Sequence, residues 1–147
     1  MQTPLPTRPD THAASPPTAL IALHDRTRDA VRGFVVMADN AEPSFQRTVQ
    51  AFLALHRQQS ETLAGLLQAK GEEVYPDGTM MGTVNEMVVK VRAFFDEIDS
   101  DTLDQIRSGE VWILQAFDAA IAEETDPATV ASLGAMRADL VQLQATT

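Results

Sequence analysis

Two neighbouring positions in the middle of an otherwise apolar stripe are polar. Positions 45, 49, 52, 56, 59, 63, 66 and 70 step by four and three, the spacing of a helical core seam, and read Phe45, Val49, Phe52, His56, Gln59, Leu63, Leu66 and Lys70. A second seam reads Leu103, Ile106, Glu110, Ile113, Phe117 and Ile121, with a carboxylate at its centre. Imidazole and carboxylate are ligands for iron, manganese and zinc, so Glu110 and His56, with Glu61 on the same stretch as His56, are the candidate metal ligands. A complete di-iron carboxylate site takes a Glu from each of two helices and a Glu-x-x-His pair from each of two others. Neither His56 nor Glu61 has its partner at that spacing, residues 18–40 contain no Glu, and residues 127–145 contain neither Glu nor His. The competing reading is a buried hydrogen-bonded layer, His56 or Gln59 to Glu110 with Thr27, neutralised by Arg137, of the kind that fixes helix register. The layer is the favoured reading and no cofactor is expected; iron or manganese on a reduced ligand set is the alternative.

Helices must carry these residues. The first is expected over about 18–40: Ser15-Pro16-Pro17-Thr18 offers a capping hydroxyl and first-turn prolines, and Leu20, Leu23, Ala30, Phe34 and Met37 step by three, four or seven. Glu42-Pro43 restarts the chain as a second helix, about 43–70, which ends at Lys70-Gly71. So short a connection makes these two an antiparallel hairpin. Tyr75-Pro76-Asp77-Gly78 is a turn by residue chemistry, and Met81, Val84, Met87 or Val88, Val91 and Phe94 or Phe95 predict a short helix over about 80–97. Ser100 or Asp101 is expected to cap a helix over about 101–124, and Asp126-Pro127 to open the last one, about 127–145.

The pattern is all-α: a ferritin-like four-helix bundle of two antiparallel hairpins, with a short extra helix in the long crossover. Residues 18–147 form this single bundle and residues 1–17 a disordered Pro/Thr-rich tail. A crossover that travels the bundle's length makes the second and third helices parallel. Counting from the hairpins then brings His56, Gln59 and Glu110 to one height, with Thr27 and the stretch from Arg137 to Leu140 beside them. Gly109 is expected to let a neighbouring helix or a water come close.

Composition removes whole classes of function. The chain has 147 residues, a formal charge of −10 and no cysteine, which leaves no disulfide, thiolate metal site or cysteine nucleophile. The excess of acid argues against nucleic acid and against anionic membranes, because those affinities rest on Lys and Arg. No stretch has the apolar length of a membrane helix, and the first residues lack a basic start and an apolar core, so a cytoplasmic location is expected. From Asp96 to Asp126 ten acidic residues face one basic residue, Arg107. Arg26, Arg28 and Arg32 in the first helix stand against this block, either as one side of a homodimer or other homo-oligomer contact or as a solvated face with intrachain pairing.

Other constellations are weaker. Asp99, Asp101 and Glu110 sit at positions 1, 3 and 12 of an EF-hand loop, but position 5 is Leu103 and position 6 is Asp104 where Gly is needed. His12 and His24 read as solvated, and Trp112 as a side residue off the main seam or a partner contact. Met80, Met81 and Met87 read as the buried face of the crossover helix. No Ser or Thr stands in a nucleophile-elbow context.

Gly33-Phe34, the run Arg57-Gln58-Gln59-Ser60-Glu61-Thr62-Leu63 and Arg107-Ser108-Gly109-Glu110 resemble a family of uncharacterised bacterial ferritin-like proteins, a domain of unknown function related to stress-inducible ferritin-like proteins. The likeness covers about residues 20–124. In that family a His commonly stands where this chain has Gln59 and a Glu where it has Glu110; the Glu matches and the His does not, although His56 lies one turn earlier. The resemblance implies the fold and a metal ancestry, not an enzyme. The function expected is therefore a non-enzymatic ferritin-like protein acting through protein contacts or self-association, with a metal-binding oxidase or iron-handling protein as the alternative.

Overall fold

Each helix boundary has a local cause in the computed structural model, which describes residues 16–74 and 98–147. Helix α1, Thr18–Asn40, follows Pro16 and Pro17, and its first residues Thr18 and Ala19 donate hydrogen bonds to the Glu123 carboxylate. Ser15 lies outside the described residues. At the other end the Gln46 side-chain amide donates to the carbonyls of Ala38 (2.6 Å) and Ala41 (3.0 Å), satisfying groups a helix end leaves without partners. Pro43-Ser44-Phe45 forms a turn instead of opening the next helix, so α2 spans Gln46–Ala69 and starts three residues later than the sequence suggests.

Helix α2 stops in a Schellman arrangement. The Glu72 amide bonds the Leu67 carbonyl and the Gly71 amide bonds the Gln68 carbonyl, with Gly71 at φ 85°, a conformation that favours glycine. Ahead of α3, Leu103–Glu123, a single 3-10 turn covers Ser100–Thr102. Its cap is Asp99, one residue before the expected Ser100 or Asp101: the Asp99 carboxylate accepts from the Asp101 amide while the Thr102 hydroxyl accepts from the Asp99 amide. Helix α4, Pro127–Thr146, opens as expected, with Asp126 accepting from the amide and hydroxyl of Thr129 and Pro127 in the first turn.

One face of every helix is buried. Leu20, Leu23, Phe34 and Val36 of α1 meet Val49, Phe52, Leu53, Leu63 and Leu67 of α2, Ile106, Ile113, Phe117 and Ala120 of α3, and Leu133, Met136 and Leu140 of α4. Burying each large side chain is worth about 1.5–3 kcal/mol, so this core supplies most of what holds the helices together. The α2 seam departs from its expected course near its end, where Leu67, not Leu66, is buried. A straight helix drifts against a strict 3.5-residue repeat, and two four-residue steps from Gln59 through Leu63 to Leu67 absorb the drift.

Two ties fix the direction of α3 against α2. His56 meets Glu110 in mid-helix, and Lys70 meets Glu124 at the C-terminal ends, so the two helices run parallel. Helix α1 runs opposite to α3, since its first turn reaches Glu123 at the end of α3. The chain leaves the described residues at Val74, just past the C-terminal end of α2, and returns at Ile98, which bridges Ala41 beside the N-terminal end of α2. The expected helix over 80–97, with Met80, Met81 and Met87, and the tail up to residue 15, His12 included, lie outside the described residues. Among the described residues there is no strand, and no helix is long and apolar enough to cross a membrane.

Candidate functional site

The polar positions of the two seams meet. His56 is fully buried and Glu110 is 2% exposed, and the His56 Nε2 atom lies 2.8 Å from Glu110 Oε1. At that distance the contact has the length of a hydrogen bond, with the donor set by the imidazole tautomer. Helix α2 projects His56 inward one turn after Phe52, and α3 projects Glu110 inward between Ile106 and Ile113. Phe34 of α1 stacks on the His56 ring, with centroids 5.4 Å apart and planes 19° apart, and on Phe52 at 5.3 Å. The imidazole is therefore fixed both at its edge and over its face.

The rest of the layer is satisfied locally or left open. Gln59, 2% exposed, donates from its side-chain amide to the Met136 carbonyl of α4 at 2.7 Å, and Thr27, fully buried, donates to the Leu23 carbonyl of its own helix at 2.8 Å. Three buried atoms of the layer have no hydrogen-bond partner: His56 Nδ1, Gln59 Oε1 and Glu110 Oε2. Arg137 does not neutralise the layer. It reaches outward to Asp118 of α3 with a two-pronged contact at 2.8 and 3.2 Å, because the length of its side chain lets the guanidinium stay in water.

The structure brings together two of the three candidate ligands. Glu61 is exposed: it lies five residues past His56, about 140° round the helix at 100° per residue, and so points away from the layer. Among the described residues no group of three or more His, Cys, Asp or Glu side chains is placed to hold a metal ion. His24 is a correction of the opposite kind. Expected in solvent, it is 5% exposed, because it shares the face of Leu20, Leu23 and Thr27.

A groove of about 270 Å³ runs between α1 and α3 beside the layer. Phe34, Met37, Ile106 and Ile113 line its apolar wall, Glu110 its inner side, and Arg26, Asp29 and Trp112 its mouth. Trp112 is 61% exposed, with the Arg26 guanidinium 5.8 Å from its ring centroid. Neighbouring Val111 is 48% exposed. Gly109 admits no close neighbour: a Cβ built there meets nothing within 4 Å, and the same holds for Gly33 on the opposite wall. The seam pattern gave no hint of this groove, since it arises where both helices carry glycine beside the buried face.

The shifted acids lie at the α3–α4 corner, away from the layer. Partial burial pushes the Glu124 carboxyl up, but the hydrogen bonds from Lys70 and from the Asp126 and Thr125 amides outweigh it and hold the group below its ordinary value. The Thr129 hydroxyl and amide lower Asp126 in the same sense.

A family model described as a domain of unknown function, DUF2383, matches residues 17–123, from the start of α1 to the end of α3. No curated protein and no solved structure matches the chain.

Proposed function

The chain belongs to the DUF2383 family, a domain of unknown function, and we propose that it is a ferritin-like bundle that works through protein contacts and carries out no chemistry in its core. The ferritin-like arrangement draws support from the parallel course of α2 and α3 and from a connection whose ends lie at opposite ends of α2. The observation that carries the functional reading is the His56–Glu110 contact itself: the two side chains with ligand chemistry spend their facing atoms on each other. The face available for contact is the α1–α3 groove with Trp112 at its mouth.

A ferritin-like ancestry implies iron or manganese, and the donor set does not fit such an ion. Transition metals held by proteins take three or four side-chain ligands. Here Glu61 is exposed, Gln59 offers an amide, a poor ligand for such an ion, and the open nitrogen of His56, Nδ1, lies on the side of the ring away from Glu110. One observation favours the second reading, a metal-dependent oxidase or iron-handling protein: three buried polar atoms in one layer lack partners. An internal water satisfies such atoms equally well.

Elemental analysis separates the two. Protein purified in air is expected to carry no stoichiometric transition metal, and Glu110→Gln is expected to keep the helical circular dichroism and the oligomeric state. Iron, manganese or zinc near one equivalent, lost in that variant, would overturn the reading.

A further inference from the structure

We infer that the α1–α3 groove binds a small, mostly apolar molecule carrying a single hydrogen-bond donor, of the phenol class, with that donor on Oε2 of Glu110. The inference goes beyond the contact reading and does not depend on it. Glu110 forms the inner side of the groove and is 2% exposed. Its two oxygens differ. Oε1 lies 2.8 Å from His56 Nε2, whereas Oε2 is buried and has no hydrogen-bond partner among the described residues. A buried oxygen left without a donor costs free energy, and a donor brought in by a ligand recovers it.

The walls set the rest of the ligand. Phe34, Met37, Ile106 and Ile113 line the groove with apolar surface, so the body of the molecule must be apolar too. An ammonium brings three donors, of which Oε2 takes one, and the apolar walls cannot accept the others. A single O–H leaves nothing unpaired. The groove holds about 270 Å³, and a dry cavity of about 150 Å³ takes benzene, so one aromatic ring with its substituents fits. Gly33 and Gly109 lie on facing walls and a Cβ at either meets open space, which leaves room for a flat ring between the helices. Trp112 stands at the mouth, where its indole can meet the ring's outer edge.

An NMR titration of the full chain tests this, followed at the indole N–H signal of Trp112, the only tryptophan. Phenol is expected to shift that signal saturably and to bind at least about tenfold tighter than toluene, which has the same shape without the donor. Benzylamine is expected to bind more weakly than phenol. Gly109→Leu, which fills the open space beside the helix, is expected to keep the helical spectrum and abolish binding. In the double variant His56→Leu with Glu110→Leu the groove keeps its apolar walls and loses the acceptor, so phenol is expected to bind no tighter than toluene. No saturable shift, toluene or benzylamine binding the parent chain as tightly as phenol, or phenol binding surviving in Gly109→Leu would overturn the inference. None of these results touches the metal content or the oligomeric state, so a failure here is distinguishable from a failure of the contact reading.

Discussion

The α2–α3 contact and the α1–α3 contact are built from similar helices to opposite ends. Between α2 and α3 an ionisable pair is buried and matched: His56 and Glu110 face each other, with Phe34 stacked over the imidazole. Between α1 and α3 the large side chain, Trp112, stays outside and a groove remains beside it. A buried polar pair must be completed within the chain, because an unpartnered charge in the interior is expensive. An exposed aromatic beside an apolar groove carries no such demand on the fold, and its energy is available to a partner. The first contact is therefore where this chain spends stability, and the second is where it can spend affinity.

Breaking the buried pair is the strongest way to test that contrast. Glu110→Ala leaves His56 buried without its partner and is expected to cost about 3–5 kcal/mol, read as a large drop in the urea midpoint. Replacing both members, His56→Leu with Glu110→Leu, removes the demand altogether. That double variant is expected to be at least as stable as the parent, by up to about 4 kcal/mol, and a double-mutant cycle on the same urea curves checks it. If the double variant were as unstable as Glu110→Ala, the layer would be supplying something besides a matched pair.

Acid titration addresses the α3–α4 corner. The carboxyls of Glu124 and Asp126 are lower in the folded chain than their ordinary values of 4.5 and 3.8, so the stability they contribute is complete above those values and is lost as pH falls through the lowered folded ones. Thermal melts followed by circular dichroism are expected to be flat in this respect above about pH 4.5 and to fall below it. Lys70→Met, which removes the first-named donor to Glu124, is expected to make that fall shallower. The smallest effect belongs to the groove. Gly109→Ala is expected to raise stability by up to about 1 kcal/mol in urea unfolding, since alanine favours a helix interior and its Cβ meets open space there.

The buried pair was legible in the sequence because two facts sufficed: one core seam carries polar residues at 56 and 59 and another at 110, and depth along parallel helices aligns them. Its surroundings were less so. Glu61 shares a stretch of α2 with His56 but not a face, and nearness along the chain ignores rotation about the helix. His24 was assigned to the solvent by its closeness to a helix end, although its spacing from Leu20 and Thr27 placed it on the buried face. Arg137 sits beside buried Met136, yet a long cationic side chain chooses the wet direction when an acid such as Asp118 lies within reach. The groove was illegible for a simpler reason: an absence of side-chain atoms at Gly33 and Gly109 leaves no periodic pattern to read.

The parallel helices also work as a pair of rulers with the same graduation. From His56 to Lys70 is fourteen residues, and from Glu110 to Glu124 is fourteen residues, so one spacing on α2 is copied on α3. A residue inserted between the ties on one helix alone displaces everything beyond it by about 1.5 Å along the axis and about 100° around it. Lys70 and Glu124 then miss each other while His56 and Glu110 still meet. Homologues are thus free to vary in length outside these two intervals, and a change of length inside one is expected to be mirrored inside the other.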